Sequence, residues 1–287
     1  MATSPNRFFT RRRVLQWGAG LVGVGGALGL YAWRVEPHWV NLVERDLPID
    51  RLPDRMAGKR MVQISDLHVG AIVDFDYLAR SLKEISRLKP DFTVITGDLM
   101  HCRGDEHVDE VGRLFDGFDP GPLGGYAIFG NHDYGLNWSD LKAADRLAAT
   151  MNSRNIRVLR NEIAHVGDLQ LVGLDDLWSS RFHPATPKSQ WDAKDAILTL
   201  CHNPDAVDLP EMADWPGWVL SGHTHGGQVK PPFLPPPMLP VKNRRYTQGE
   251  FSLGNDRWLY INPGLGYLKR VRFNVPPEIT RFTLQRA

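Results

Sequence analysis

Cysteine is nearly absent from this chain: only Cys102 and Cys201 occur in 287 residues. Two thiols are too few for a disulfide framework or a cysteine-only zinc site, and they read as two unrelated core thiols rather than a bridge. A surplus of positive charge is missing as well. The 34 Lys and Arg against 33 Asp and Glu leave a formal net charge of +1, so nothing in the total points to nucleic acid as a partner. No internal repeat is present. Apolar residues at 42% and charged residues at 23% give the balance of an ordinary globular protein.

Acid is lacking at the start of the chain, where none precedes Glu36. Arg7, Arg11, Arg12 and Arg13 come first, and Val14 to Trp33 then runs twenty residues without a charge. Twenty helical residues span roughly 30 Å, the hydrocarbon core of a bilayer. Six glycines in the run make it only mildly apolar. Thr10-Arg11-Arg12-Arg13-Val14-Leu15-Gln16 ahead of such a run resembles a twin-arginine export signal. The arginines predict that the N-terminus stays in the cytoplasm while the rest crosses. No clear small-x-small cleavage site follows, so residues 1–35 read as either a cleaved signal or a retained membrane anchor.

Residues 36–59, with Asn41 to Lys59 as their larger part, read as a linker. From residue 60 to 287 the chain has the length of one large domain. Met61–Ser65, Phe92–Thr96 and Tyr126–Phe129 read as strands. Phe75, Leu78, Leu82, Ile85 and Leu88 recur at helical spacing between the first two, behind Asp74 as cap. Further helices are expected around Val108–Phe118 and Leu141–Met151. Such alternation predicts a largely parallel sheet covered by helices. The second half adds strands at Leu169–Leu174, Ala196–Leu200, Trp218–Leu220, Trp258–Ile261 and Ile279–Leu284. Between them, Lys230–Gly249 holds six prolines and reads as a stiff surface loop.

Several strands end in polar clusters: Asp66-Leu67-His68, Gly97-Asp98, Gly130-Asn131-His132-Asp133, His202-Asn203 and Gly222-His223-Thr224-His225. Ligands of α/β sheets sit beyond the carboxyl ends of strands, so the five clusters are expected at one site. Carboxylate, imidazole and amide oxygen suit zinc, iron or manganese. Each cluster alone is weak, since an Asp after a strand is usually a cap. Their combination points to a metal site.

In this order and spacing, the clusters resemble the calcineurin-like metallophosphoesterase superfamily over about residues 60 to 285. The arginine-rich start, Glu36-Pro37 and the Gly-His-Thr-His-Gly-Gly-Gln run resemble a narrower branch of exported bacterial phosphodiesterases and lipid A precursor hydrolases. The resemblance implies an α/β fold of four layers, α-β-β-α, with two mixed sheets between helices. It implies two divalent metal ions, of manganese, zinc or iron. Asp66, His68 and His225 would hold one, and Asn131, His202 and His223 the other. Asp98 would bridge both. His132 would bind no metal and would stand near the scissile phosphate. Two cations can clamp the attacking and leaving oxygens of a phosphoryl transfer and activate the attacking water. A positioned His132 can protonate the leaving oxygen.

One departure concerns the residue that orients His132. Many relatives carry an acid three residues after the bridging Asp. His101 stands there instead, leaving Asp133 or a water for that task. Asn262-Pro263-Gly264 also replaces a Ser/Thr-Arg-Gly start common in the branch. Outside the clusters, Asp175-Asp176 reads as a loop acid or cap, with the rim of the site as the alternative, Arg244-Arg245-Tyr246 as either a substrate contact or a solvated loop, and Trp215 and Trp218 as packing. Lys269, Arg270 and Arg272 are candidates for anionic headgroups. The reading is thus a monomeric phosphodiesterase on the periplasmic side of the inner membrane, acting on a phosphate ester linked to lipid or to the cell envelope. Cleavage of the pyrophosphate in a UDP-2,3-diacylglucosamine-type substrate is one alternative, and a non-catalytic scaffold on the same fold is another.

Overall fold

The computed structural model describes residues 11–101, 105–192 and 194–287. Twelve strands among them form two six-stranded mixed sheets. In the first sheet β1 (Asn41–Ile49) lies beside β12 (Glu278–Arg286), followed by β2 (Arg60–Ile64), β3 (Phe92–Thr96), β4 (Gly125–Ile128) and β5 (Ile156–Val158). β2 to β5 run parallel, and β12 runs against β2. The second sheet orders β10 (Gly249–Gly254), β11 (Arg257–Ile261), β9 (Trp218–Ser221), β8 (Ala196–Leu200), β7 (Leu169–Gly173) and β6 (Glu162–Val166). Only its two outer strands run antiparallel to their neighbours.

The hydrophobic pattern explains the layering. Strands buried on both faces read as continuous apolar runs, and β3, β7 and β8 are buried at every residue. One core lies between the sheets, with Met61, Val94, Ile128 and Phe282 meeting Leu171, Leu198, Leu220 and Tyr260. A second fills the outer face of the first sheet beneath α2 (Phe75–Arg87), α3 (Asp105–Leu114) and α4 (Leu141–Asn152). The Asp74 carboxylate caps α2 by accepting from the Tyr77 amide. The third covers the outer face of the second sheet, where Trp215, Met212 and Tyr246 close over Val172, Val219 and Ile261. The fourth layer is therefore made of short helical turns, such as Pro204–Asp208 and Pro210–Met212, rather than long helices.

The expected linker is partly strand. β1 pairs in parallel with β12 over its full nine residues. Only Leu47 and Ile49 of β1 are buried, so its charged, Pro48-containing sequence suits a sheet edge and hides the strand from periodicity. α1 (Arg11–Leu30) is a single helix with no buried residue, long and apolar enough to cross a membrane. Its continuation is tied to the domain. The Arg272 amide donates to Ala32 O at 2.9 Å, and the Glu36 carboxylate accepts from the Val275 amide at 2.6 Å. Arg272 is itself buried, with its guanidinium on the carbonyls of Pro263, Gly264, Gly266 and Val275, so it staples this segment and faces no headgroup. Arg7 and Cys102 lie outside the described residues. Cys201 is buried in the outer core of the second sheet.

Candidate metal centre

All five polar clusters stand at carboxyl ends of parallel strands: β2, β3 and β4 of the first sheet, β8 and β9 of the second. Backbone bonds knit these ends together. Asp66 N donates to Gly97 O at 2.9 Å, His68 N to Asp98 O at 3.0 Å, and Gly222 N to His202 O at 3.1 Å. Gln63 spans the sheets from within, donating to Thr96 Oγ1 and Ser221 O at 3.0 Å each. The loops must turn sharply to aim their side chains at one point. Asp66, His68, Asp98, His223 and His225 all adopt left-handed backbone, with φ of 53°, 48°, 53°, 70° and 49°. Such strain costs on the order of 1–3 kcal/mol per residue and persists where the surrounding fold over-determines it. Gly130 allows the close approach: a Cβ there would strike Asp98 Oδ1 and lie 2.6 Å from His202 Nε2.

Two buried groups of potential ligands result, Asp66–His68–His225 and Asp98–His202–His223, each with ligand atoms within 4.8 Å of one another. Asp98 reaches both, with Oδ2 at 3.5 Å from His68 Nε2 and 3.3 Å from His202 Nε2. His68 Nε2 and His225 Nε2 face each other at 3.0 Å, and His223 Nδ1 faces His202 Nε2 at 3.2 Å. Carbonyls hold two rings from behind: His202 Nδ1 lies 2.7 Å from Thr96 O, and His223 Nε2 lies 2.9 Å from Pro240 O. This back-bonding fixes the tautomer and leaves the inner nitrogen as a lone pair, the usual support for a metal-binding imidazole. Asn131 is buried, and its Oδ1 has no hydrogen-bond partner.

Burial dominates the electrostatics. It lowers His68 and His225 well below the ordinary histidine range, and lowers His223 to about 3. Burial, with Asp98 nearby, raises Asp66 to about 7. His202 escapes because the Asp98 carboxylate outweighs burial and raises it to about 10. In turn the His202 and His132 rings hold Asp98 well below the carboxylate range despite its burial. The neutral His68 and His225 rings face each other nitrogen to nitrogen, and the Asn131 amide oxygen has no partner, both costly in a buried site. Divalent cations would satisfy all of them, so the residues present fit the metals that the sequence resemblance implies.

The model of the calcineurin-like phosphoesterase family matches residues 59–227. The chain belongs to that family. It is a metal-dependent phosphoric ester hydrolase, similar to relatives along most of their length. The chain is 31% identical to the metallophosphoesterase YkuE of Bacillus subtilis, over 93% of each protein. It is 30% identical to the phosphodiesterase YaeI of Escherichia coli, over 96% of this chain and 99% of that one. It is 29% identical to the UDP-2,3-diacylglucosamine pyrophosphatase LpxG of Chlamydia trachomatis, over 87% and 91%.

Some neighbours of this metallophosphoesterase site differ from expectation. Asp133 does not orient His132. Its two oxygens accept from the Met100 amide at 3.1 Å and the Gly130 amide at 2.9 Å, so the carboxylate is spent on the turn itself. His132 is held instead through its amide, which donates to Asp98 Oδ1 at 3.0 Å. Its ring stacks on His101 with centroids 5.0 Å apart and stands edge-on to His68 at 4.9 Å. Asp176 is a turn acid, accepting from the Ser179 amide at 2.6 Å. It is 1% exposed, raised to about 6 by burial, and close enough to His202 to favour that ring's cation. Tyr246 points away, its hydroxyl on Asp208 at 2.7 Å. Trp215 and Trp218 are buried packing, as expected. Asn262 accepts from the Gly264 amide, and Gly266 N donates to Asp66 O at 2.7 Å, so this segment braces Asp66 from behind. Sequence reasoning missed Trp178, whose ring stacks on Trp138 and stands edge-on to His223 at 4.4 Å. No periodicity marks a tryptophan in a loop.

Proposed function

We propose that this protein hydrolyses phosphodiesters outside the cytoplasm. In this reading Asp66, His68, Asp98, Asn131, His202, His223 and His225 hold two divalent cations of manganese, zinc or iron, and His132 is the general acid. Residues 1–35 act as export signal or membrane anchor, and the domain works as a monomer on the periplasmic side. The observation that carries the reading is the reach of one carboxylate, Asp98, into both ligand groups. When bound, the cations neutralise the phosphate and activate the attacking water. The protein's own part is orientation. Asp98 fixes the His132 backbone, and the His101 and His68 rings confine its imidazole. A confined ring can deliver a proton to the leaving oxygen at little entropic cost. Similarity to the phosphodiesterase YaeI supports the diester preference.

A second reading, cleavage of the pyrophosphate in a UDP-linked diacylglucosamine, draws on the similarity to LpxG. Nucleotide-linked substrates are cytoplasmic, so topology separates the two. A reporter fused after Ala287 is expected on the periplasmic side, and purified protein is expected to turn over model diesters faster than monoesters or nucleoside-diphosphate lipids. A cytoplasmic reporter with preferred cleavage of the nucleotide-linked lipid would replace the first reading by the second.

A further inference from the structure

The Pro-rich loop presents apolar side chains to solvent instead of hiding them. Phe233 is fully exposed, Leu234 is 60% exposed and Met238 67%. Prolines stiffen this stretch, so the side chains cannot fold back cheaply, and such a patch marks an interaction surface. Arg244 braces the loop by donating to Pro236 O at 2.8 Å.

Beneath the loop lies a cavity of about 500 Å³, within the size range of small-molecule sites. Its walls include Val229, Met238, Leu239, Leu268 and Val271, and it reaches His225 of the proposed metal centre. Arg244 and Lys269 add positive charge to the lining. Gln228, also in the lining, is spent on the protein itself. Its amide donates to Lys269 O and Val271 O and accepts from the Leu268 amide, all between 2.7 and 2.8 Å. The cavity thus offers an apolar surface with cations, and little hydrogen bonding for a sugar or base.

The wall at 268–271 runs straight into the segment that receives the end of the apolar N-terminal helix. Arg272 and Val275 make the two bonds to Ala32 and Glu36. A helix of membrane-spanning length therefore ends beside the cavity. We propose that the cavity holds an acyl chain of a lipid phosphoester that enters from the bilayer, with the loop 231–240 bedded in the bilayer surface. The inference rests on the hydrolase reading above and names its substrate class. The phosphate lies on the metal centre, the chain runs past His225 under the loop, and Arg244 and Lys269 face the lipid's anionic part.

Binding of non-hydrolysable alkyl phosphonates from ethyl to octyl tests this without catalysis. Full-length, manganese-loaded protein in nanodiscs is titrated calorimetrically, with empty nanodiscs subtracted. Affinity is expected to rise about fourfold per added methylene, the worth of one buried CH₂. Val271→Trp, which fills the cavity, should flatten that rise beyond butyl. Leu268→Trp carries the same expectation should the first variant not fold. In vesicles, serine at 233, 234 and 238 together should lower turnover of a diacyl phosphodiester at least about tenfold relative to soluble bis(nitrophenyl) phosphate. Affinity independent of chain length, or a slope untouched by either tryptophan, overturns the proposal. Diester hydrolysis with no chain-length dependence would do so while leaving the hydrolase reading intact. Chain-length-dependent binding without hydrolysis of any diester would keep the cavity and remove the phosphodiesterase reading.

Discussion

Asp98→Ala should lose both the metal pair and turnover. Asp98 is the carboxylate within 3.5 Å of a histidine from each ligand group, and it also anchors the His132 amide. Without it, two cations would sit close together with no shared anion between them, and their repulsion in a buried site is large. Metal content should fall to one ion or fewer per chain. Turnover of a model diester should fall by more than about 10³-fold, beyond the range for removing a single transition-state contact. Asp98→Asn separates charge from shape, because the amide oxygen can still accept from His132 N. It should keep the fold's melting temperature in the absence of metal and still lose the metal pair. Full metal content with normal turnover in either variant would show that Asp98 bridges nothing.

His132→Ala should retain both metals and lose turnover in a manner that depends on the leaving group. The ring is proposed as acid rather than ligand, and its amide contact to Asp98 survives the substitution. Loss of a general acid typically costs 10²–10⁴-fold, so about that loss is expected on an alkyl diester. A nitrophenyl group leaves as a stable anion and needs no proton, so its loss should be clearly smaller. Equal losses on the two substrates, with bond cleavage shown to limit the rate, would assign His132 to electrostatic contact with the phosphate instead.

The arrangement of the site was legible because the chemistry repeats at each strand end. Asp66, Asp98, Asn131, His202 and His223 each follow an apolar run within a few residues, and parallel topology brings such ends to one edge. What stayed hidden depended on partners far away in sequence. β1 carries Glu44, Arg45 and Asp46 in its middle and is a strand only because β12 pairs with it. β5 has three residues, and β10 alternates between half-buried and exposed positions. Asp133 reads from sequence as one of two candidates to orient His132, because the amides of Met100 and Gly130 that consume it converge only in the folded turn. His101 stands out in the sequence as an oddity of spacing, and its stacking on His132 arises only in the folded site.

Metal titration of stripped, full-length protein tests the central claim most directly. Manganese is added in steps while melting temperature and bis(nitrophenyl) phosphate hydrolysis are followed on the same sample. Two ions per chain should bind, with hydrolysis completed only as the second site fills. At a thousand times the dissociation constant, binding should stabilise the fold by about 4 kcal/mol per site. Asp66, raised to about 7, must lose its proton to serve as ligand. Uptake should therefore weaken as pH falls through that value. Hydrolysis that persists undiminished in metal-free protein, or a chain that binds no divalent ion and gains no stability from it, would contradict the account.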